Sequence, residues 1–419
     1  MKKMLSVLLA AMMLLTVLAV PALGEEAKVL TVVTWDATTT PYLIAQKEAY
    51  EATHPDVVIE YVDVPSQDWT TDMATKLNDD KYDIYMVKDV PSLLNWYKAK
   101  ALLPMNDYIE KSGFDLSGFK GMDEYYKFDG NQVALPFRSD FEVLFYNKDL
   151  FDAANVEYPT NDMTWEQYKE KALALTKDDP ADPIYGTFYH TWLSTAVNYT
   201  VADGVNTLLD GNYDDLAYFY QIIQDLEDAN ACISYNEAKA GGLHYSGVFG
   251  NGNVAMMPMG YWYVATLADK IASGEYKVKN WGIASMPVKE GVKPGSTFGN
   301  LTGVAINAVS KQPDLAWDYI AWLCSEEGAK VTAATGNRPA WVSEGVAEVL
   351  AAKEGFPTDE QSKAVLMPAF VAIEIPGTDL TAEISGILNE EHTNIMTRTV
   401  SIEEGIAEMN RRVQELLGK

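Results

Sequence analysis

The sequence predicts an α/β fold in two domains, and three observations support this. The chain has 419 residues, 48% of them hydrophobic, which is enough for two buried cores. Its first quarter alternates strand, helix and strand patterns at short intervals, as in domains with crossover connections. Neither a low-complexity segment nor a Pro/Ser-rich linker divides the chain. The domains are therefore expected to be lobes joined by short strands, with more than one crossing between them.

The N-terminal elements follow from local patterns. A β-rich run covers Val29–Trp35, and Thr40-Pro41 then supplies a helix N-cap with proline at the first helical position. This helix is expected to end at His54-Pro55. Alternating residues over Val57–Val64 predict a second strand, and Tyr82–Val87 predicts a third.

Later elements include two helices that begin with capping boxes, one at Thr164–Gln167 and one at Ser401–Glu404. The first is expected to run toward Leu175. In the second, apolar residues at spacings of four and three share one face, which must pack on another element. They are Ile402, Ile406, Met409, Val413 and Leu416. Further core strands are predicted at Val143–Tyr146, Asn253–Met259 and Gly303–Asn307, and an amphipathic helix at Asp314–Leu323.

The net charge of −28 excludes a nucleic-acid partner, because no basic stripe is available to neutralise phosphates. The acidic surface favours solubility and repulsion between copies. It does not identify a ligand.

Residues 1–24 are expected to be a cleavable signal peptide. Lys2 and Lys3 give a basic start, Leu5–Val20 is an uncharged apolar run, and Ala22–Gly24 offers small residues for cleavage. The mature protein is therefore predicted to be soluble and extracytoplasmic. Because this segment lacks cysteine, a lipid anchor at the cleavage site is not expected.

No cofactor or metal site is predicted. The four histidines are scattered without metal spacing, and neither a phosphate-binding loop nor a nucleophile elbow occurs. The two cysteines, Cys232 and Cys324, lie far apart in sequence; they could pair in an oxidising compartment or remain as buried thiols.

Several stretches resemble the family 1 extracellular solute-binding proteins, the maltose-binding-protein-like sugar receptors of ABC importers. The most specific are Gly130–Phe137, Leu144–Phe151 and Thr164–Glu166, which match the family pattern G-x-x-x-x-L-P, YYNKDLF and TW-x-E in order. Phe249–Met257 with Gly260–Trp262 resembles its F-x-x-G-x-A-A-M and G-x-W segment. Trp281–Asn307 and the C-terminal helix complete the match, so the resemblance covers essentially the whole mature chain.

The resemblance implies a type II periplasmic-binding-protein fold, in which two lobes of mixed sheet and flanking helices close by hinge bending. Lobe 1 would take 28–135 and 289–335, and lobe 2 would take 136–288 and 336–419. The implied function is capture of a sugar or oligosaccharide and its delivery to membrane ABC permease subunits. The protein would act as a monomer and would not be an enzyme.

Candidate ligand-binding residues in lobe 1 lie where strands end, since ligands of open α/β sheets bind there. Trp35 and Asp36 could supply a stacking face and a hydroxyl acceptor, or a core tryptophan and a helix cap. Asp68 and Trp69 follow the second strand and could equally pack on the surface. Asp89 follows the third strand, at a cleft position of the family.

The crossings and lobe 2 supply the other candidates. Arg138 could orient Asp140 toward ligand hydroxyls, or the two could simply pair across the hinge. Arg338 could face the cleft or make an ion pair between lobes, and Asn300 precedes a strand. The family places a stacking aromatic at Trp262, for which the alternative is a core role. The remaining candidates are its neighbour Tyr261 and Trp192, which lies in an aromatic cluster with Tyr189 and His190.

Two other classes of function remain open from sequence. A secreted carbohydrate hydrolase would need a carboxylate pair, and 60 acidic residues can supply one by chance. A receptor for a charged solute such as a polyamine could use Asp36, Asp89 and Asp140, whereas Lys88 and Arg138 would suit an anion.

Overall fold

A computed structural model of the protein describes residues 27–38, 40–65 and 68–418. The signal-peptide prediction for 1–24 lies outside the described residues. The strands are β1 Lys28–Trp35, β2 Val57–Val64, β3 Ile84–Val87, β4 Lys127–Phe128, β5 Asn131–Gln132, β6 Leu135–Asn147, β7 Tyr185–Thr187, β8 Val254–Gly260, β9 Trp281–Ser285, β10 Ser296–Ile306 and β11 Phe370–Ile373.

The described α-helices are α1 Pro41–Thr53, α2 Trp69–Lys76, α3 Val90–Lys98, α4 Asn106–Ser112, α5 Lys148–Ala154, α6 Trp165–Leu175, α7 Leu216–Asp228, α8 Tyr235–Ala240, α9 Tyr245–Gly250, α10 Tyr263–Ala272, α11 Pro313–Leu323, α12 Glu326–Ala334, α13 Glu344–Ala351, α14 Glu360–Ala364, α15 Thr381–Met396 and α16 Ile402–Leu416. None of the helices within the described ranges is long and apolar enough to cross a bilayer.

One mixed sheet runs through the molecule in the order β2-β1-β3-β10-β6-β8-β7, with β11 on β10 and β9 on β6. β1 pairs in parallel with β2 and β3, and β10 pairs antiparallel with both β3 and β6. The long strands β6 and β10 carry the sheet from the first lobe into the second. The predicted two-lobed α/β fold is confirmed.

The first lobe follows the local predictions closely. β2 has the predicted bounds, and α1 begins at Pro41 after its N-cap Thr40 and ends before His54. The Thr40 side chain makes no capping hydrogen bond to the helix; its Oγ1 donates instead to the carbonyl oxygen of Asp36, 2.8 Å away. The helix start thus depends more on proline's fixed φ than on the cap.

β6 is much longer than the strand predicted at Val143–Tyr146. It has 13 residues, of which only two are not buried. Arg138, Ser139 and Asp140 interrupt its apolar run, so the apolar pattern in the sequence marks only the later part of the strand. β6 and β10 change register between Thr302 and Gly303, a bulge in the middle of the crossing.

Buried apolar side chains form three clusters. One combines residues from 30–137 with residues from 301–340, and the other two combine residues from 141–298 with later segments. Cys324 belongs to the first and Cys232 to the second, and both are free thiols. The chain thus builds separate cores from discontinuous segments.

The C-terminal helix α16 has the predicted capping box, with reciprocal bonds between Ser401 and Glu404. Its apolar face is buried at Ile402, Ile406, Met409 and Val413, and Leu416 is partly buried. This face belongs to the same core as α7 and α15, so the predicted packing partner consists of these helices.

His392 on α15 makes stability depend on pH. Burial, and to a lesser degree Lys239, lowers the pKa of His392 from 6.5 to about 3, and Nδ1 lies 2.9 Å from the Tyr220 hydroxyl. The unfolded chain takes up a proton below pH 6.5 while the folded chain does not, so stability present above 6.5 is lost as pH falls. Between pH 7 and pH 5, we expect His392→Phe to lose about 2 kcal/mol less stability than the wild type. Urea titrations at both pH values measure this, and equal losses would contradict it.

Candidate functional site

The hinge strands present a polar face. Successive residues of a strand point to opposite sides, so Arg138, Asp140 and Glu142 on β6 share one face. In the antiparallel register, Thr302 pairs with Arg138 and Asn300 with Asp140. Paired residues lie on the same side of a sheet. We call this side of β6, β10 and β11 the hinge floor.

β11 extends the hinge floor by a third carboxylate. β11 runs parallel to β10, with Ile373 opposite Gly299, and the backbone N–H of Glu374 donates to the Gly299 carbonyl oxygen at 2.8 Å. The next step along both strands places Glu374 beside Asn300. Asp140, Asn300 and Glu374 thus form a row across the floor, and Glu142 lies one step away.

Arg138 is held in place by three contacts. Its Nη1 donates to Asp140 Oδ2, and its Nη2 donates to Thr302 Oγ1 at 3.1 Å. The guanidinium carbon lies 5.4 Å from the centre of the Tyr42 ring. Burial disfavours its charge, but Asp140 and the nearby tyrosines outweigh this and raise the pKa of Arg138. The sequence left open whether Arg138 and Asp140 pair with each other or orient toward a ligand, and in the structure they form an ion pair.

The antiparallel pair β6–β10 forms a ribbon, and Arg338 lies on its opposite side from the hinge floor. It is only 3% exposed. Its Nη1 donates to the Ser139 carbonyl oxygen and hydroxyl at 3.2 and 2.9 Å, and its guanidinium lies 4.5 Å from the centre of the Phe141 ring. Ser139 and Phe141 alternate with the floor residues, so Arg338 backs the hinge and does not join the floor. Burial lowers its pKa to about 10, so it remains charged at neutral pH.

The lobe 1 wall is formed where β1 and β3 end. Trp35 is nearly buried, and the Lys88 ammonium lies 5.8 Å from the centre of its ring. Asp36 follows in a left-handed conformation with φ of 49°. Asp89 caps α3 by accepting a 2.7 Å bond from the Ser92 N–H. The structure therefore brings Trp35, Asp36 and Asp89 to one strand-end edge, with a capping role for Asp89.

Asp68 and Trp69 have different surroundings. Trp69 is buried; its ring meets that of Trp35 edge-on at 5.0 Å and also packs against Trp96. Asp68 is exposed at the start of α2 and makes no side-chain cap. Trp69 thus supports Trp35 from behind.

The lobe 2 wall is aromatic. Trp262 is partly buried, and its Nε1 donates to the Tyr245 hydroxyl at 3.2 Å. Trp192 is 40% exposed and packs against both Tyr245, at 5.6 Å, and His190, at 4.0 Å between ring centres. Trp262 and Trp192 therefore reach a common surface through Tyr245. Tyr261 does not share it, because it is fully buried and stacked on Phe141.

The sequence interpretation missed Glu142, Glu374 and Tyr245. Alternation from Asp140 would have pointed to Glu142, two residues further along the same strand. Glu374 has no comparable signal, because only strand pairing brings β11 to the hinge. Tyr245 opens a short helix and resembles any core tyrosine in the sequence.

The two glutamates have unusual electrostatics. Burial, followed by the charges of Glu374 and Asp140, raises the pKa of Glu142 well above its ordinary value. Burial raises the pKa of Glu374 to about 7, although a bond from Asn198 opposes the shift. With a pKa of about 7, Glu374 is thus partly protonated near neutral pH. Over the described part of the chain, no group of three or more His, Cys, Asp or Glu is arranged to hold a metal ion.

A cavity of about 660 Å³ lies on the rear side of the ribbon, where Arg338 points. Its lining is mainly apolar and includes Met122, Tyr125, Met367 and Phe370. A smaller neighbouring cavity touches Gly299 and Leu301, the β10 partners of Phe141 and Ser139. This rear cavity lacks the carboxylates of the hinge floor, so the floor and its aromatic walls are the stronger candidate site.

Comparisons with known proteins bear on the family and the fold. The model of the family described as bacterial extracellular solute-binding protein matches residues 36–330. A sugar transporter from Rhizobium etli, solved in an open conformation, is 39% identical, with a TM-score of 0.87 over 93% of this chain and 99% of that one. An ABC substrate-binding protein from Listeria monocytogenes, solved with cycloalternan, has the same fold at 19% identity, with a TM-score of 0.73 over 93% and 99% of the two chains.

Among curated proteins, the sn-glycerol-3-phosphate-binding periplasmic protein UgpB of Brucella abortus is 27% identical over 237 residues. The match covers 51% of each protein. The chain thus spans about half the length of this curated relative.

Proposed function

We propose, from the premise that this chain belongs to the bacterial extracellular solute-binding protein family, that it captures a carbohydrate between its lobes for an ABC importer. The family implies an extracytoplasmic location, which agrees with the predicted signal peptide. Delivery to permease subunits, action as a monomer and the absence of catalysis belong to this proposal.

The observation that carries the proposal is the pairing of carboxylates with aromatic walls. Asp140 and Glu142 lie on the hinge floor, with Trp35 at the lobe 1 edge and Trp262 in lobe 2. Aromatic faces bind the C–H surface of a sugar ring, and carboxylates accept hydrogen bonds from its hydroxyls. The similar transporter from Rhizobium etli is described as a sugar transporter, which supports the same class of ligand.

A phosphate ester such as glycerol phosphate suits this floor poorly. Three carboxylates, Asp140, Glu142 and Glu374, face one guanidinium, and that guanidinium is already paired with Asp140. A phosphate would oppose ionisation of Glu142 and Glu374, and the one cation it meets on the floor is the guanidinium that Asp140 already occupies. The similarity to the Brucella protein therefore supports membership of the family, but it does not support glycerol phosphate as the ligand of this chain.

The lobes would close by bending at the strands that cross between them. We propose that 28–135 and 289–335 form lobe 1, that 136–288 and 336–419 form lobe 2, and that β6 and β10 bend where they pass between them. The register shift at Thr302 and Gly303 supports a bend there, since a bulge interrupts the ladder.

A melting-temperature panel over monosaccharides and oligosaccharides tests the proposal. A bound sugar at 100 times its Kd is expected to stabilise the protein by about 2.7 kcal/mol and to raise Tm in a concentration-dependent way. A response to glycerol 3-phosphate with none to any sugar would refute carbohydrate capture. Recovery of the ligand chemically unchanged after long incubation is expected, and turnover would establish the hydrolase alternative.

Replacing Trp262 with alanine is expected to weaken sugar binding about 30-fold, which corresponds to the loss of roughly 2 kcal/mol of apolar contact. Folding should survive because the side chain is only partly buried at the edge of its core cluster. Tyr158→Ala, an exposed aromatic position, is the matched control and should leave affinity unchanged. Binding can be measured by calorimetry; loss of folding would show that Trp262 is a core residue instead.

A further inference from the structure

The Glu142 carboxylate has no partner of opposite charge among the described residues. Within the ranges that the structure describes, its side chain forms neither a hydrogen bond nor an ion pair, while its backbone carbonyl oxygen accepts a bond from the Thr297 hydroxyl. Glu374 accepts one bond, from Asn198 Nδ2 at 2.7 Å. Together, the two carboxyl groups therefore accept only one side-chain hydrogen bond among the described residues.

Two deeply buried side chains beside this pair also have unused polar atoms. Asn198 is 2% exposed, and while its Nδ2 binds Glu374, its Oδ1 has no hydrogen-bond partner. Tyr199 is 5% exposed, and its hydroxyl has no hydrogen-bond partner. This hydroxyl is close enough to Glu142 for the glutamate charge to raise the pKa of Tyr199. Buried polar atoms are normally paired, so unpaired ones at this point indicate a missing partner.

The missing partner must donate hydrogen bonds. The unpaired Oδ1 of Asn198, next to Glu374, is an acceptor, and the Tyr199 hydroxyl can donate as well as accept. The titratable groups facing the pair are Asp140 on β6, Tyr199 in the 3₁₀ helix Val197–Asp203 and Tyr245 on α9. Arg138, the nearest cation on the floor, is already bonded to Asp140. In the described part of the chain, no cation thus bonds to either glutamate.

We propose that Glu142 and Glu374 form an ammonium-binding subsite and that the captured solute is an amino sugar. This rests on the proposed carbohydrate function. An ammonium group supplies three donors and one positive charge, which match two carboxylates and the Asn198 oxygen. The aromatic rings of Tyr245 and Trp262 next to the subsite would hold the sugar ring.

Binding should then release protons. Without ligand, a pKa of about 7 leaves Glu374 partly protonated near neutral pH, and burial raises the pKa of Glu142 as well. A cation beside the pair favours its ionised form, so the protons leave as the ammonium group enters. A neutral sugar offers no such charge, and its binding should be independent of the buffer.

Calorimetry on the mature protein with matched sugars tests this directly. The probes are D-glucosamine against D-glucose and D-galactosamine against D-galactose, with spermidine as a cation without a sugar ring. We expect each amino sugar to bind about tenfold tighter than its neutral parent or better. At pH 7, comparison of two buffers that differ in ionisation enthalpy should show about one proton released per bound amino sugar.

Isosteric variants locate the effect. Glu142→Gln and Glu374→Gln should each reduce the preference for amino sugars to less than about threefold, since the charge is lost while shape and volume stay. Glu360→Gln, on the surface of α14, is the matched control and should keep the full preference. Folding of each variant is checked by its unliganded Tm.

The outcomes separate this inference from the proposed function. If neutral sugars bind as tightly as amino sugars, or if the preference survives in both variants, the subsite is refuted while carbohydrate capture stands. If spermidine binds and no sugar does, carbohydrate capture itself fails. Failure of every amino sugar to bind also overturns the subsite.

Discussion

Replacing Asp140 with alanine is expected to lower the free energy of unfolding by about 3–5 kcal/mol. Asp140 is buried, accepts a hydrogen bond from Arg138 and attracts Arg338 from the other side of the ribbon. Its removal leaves two buried guanidinium groups without their carboxylate. An uncompensated charge in a site of low dielectric costs far more than the pair contributes.

Urea titration followed by tryptophan fluorescence measures this loss. Asp140→Asn keeps the volume and one acceptor and should fall between alanine and the wild type. Asp107→Ala is the matched control, because the Asp107–Lys111 pair on α4 is 80% and 76% exposed and should contribute less than about 1 kcal/mol. Similar losses for Asp107→Ala and Asp140→Ala would show that the hinge pair is solvated.

Replacing Gly299 with alanine is expected to destabilise the protein by about 3 kcal/mol. A Cβ atom at Gly299 would lie 1.8 Å from the Asp140 carbonyl oxygen and 2.7 Å from the Phe141 Cα. These atoms belong to the β6 backbone and cannot rotate away. β10 would have to separate from β6 where the sheet passes between the lobes, which removes ladder hydrogen bonds from the hinge.

Gly386→Ala provides a control with the opposite sign. Gly386 lies within α15, and a Cβ atom there would meet nothing within 4 Å. Alanine in a helix interior is favoured over glycine by about 0.5–1 kcal/mol, so this variant should gain stability. If Gly299→Ala were neutral by denaturant titration, the tight β6–β10 contact would not exist in solution.

Local elements were predictable because their determinants are local. β2 and the capping boxes of α6 and α16 are where the sequence predicts them, since side-chain alternation and cap chemistry act over a few residues. β6 was underestimated, because Arg138, Ser139 and Asp140 interrupt its apolar run. Their charges are tolerated there by long-range pairing, which no local pattern reveals.

The candidate site was predictable in part. Trp35, Asp36 and Asp140 could be chosen because strand ends and crossings are marked in the sequence. Tyr261 and Trp262 are neighbours with equal chemical promise, yet the first is buried against Phe141 and the second reaches the aromatic wall. Adjacent residues diverge in this way because the strand has just ended and the chain turns into α10.

The sequence by itself determined the alternation of strands and helices and the acidic character of the chain, since both are properties of composition and short-range order. Its motifs also determined the family, through their resemblance to the family pattern. The tertiary structure decided which side of the hinge each charged residue faces. Arg338 and Glu374 come from segments remote from β6, and strand pairing sends the first behind the ribbon and the second onto its floor. Pairing between segments distant in sequence depends on the free energy of the whole packed sheet, so the face proposed to bind solute forms only when the chain is folded.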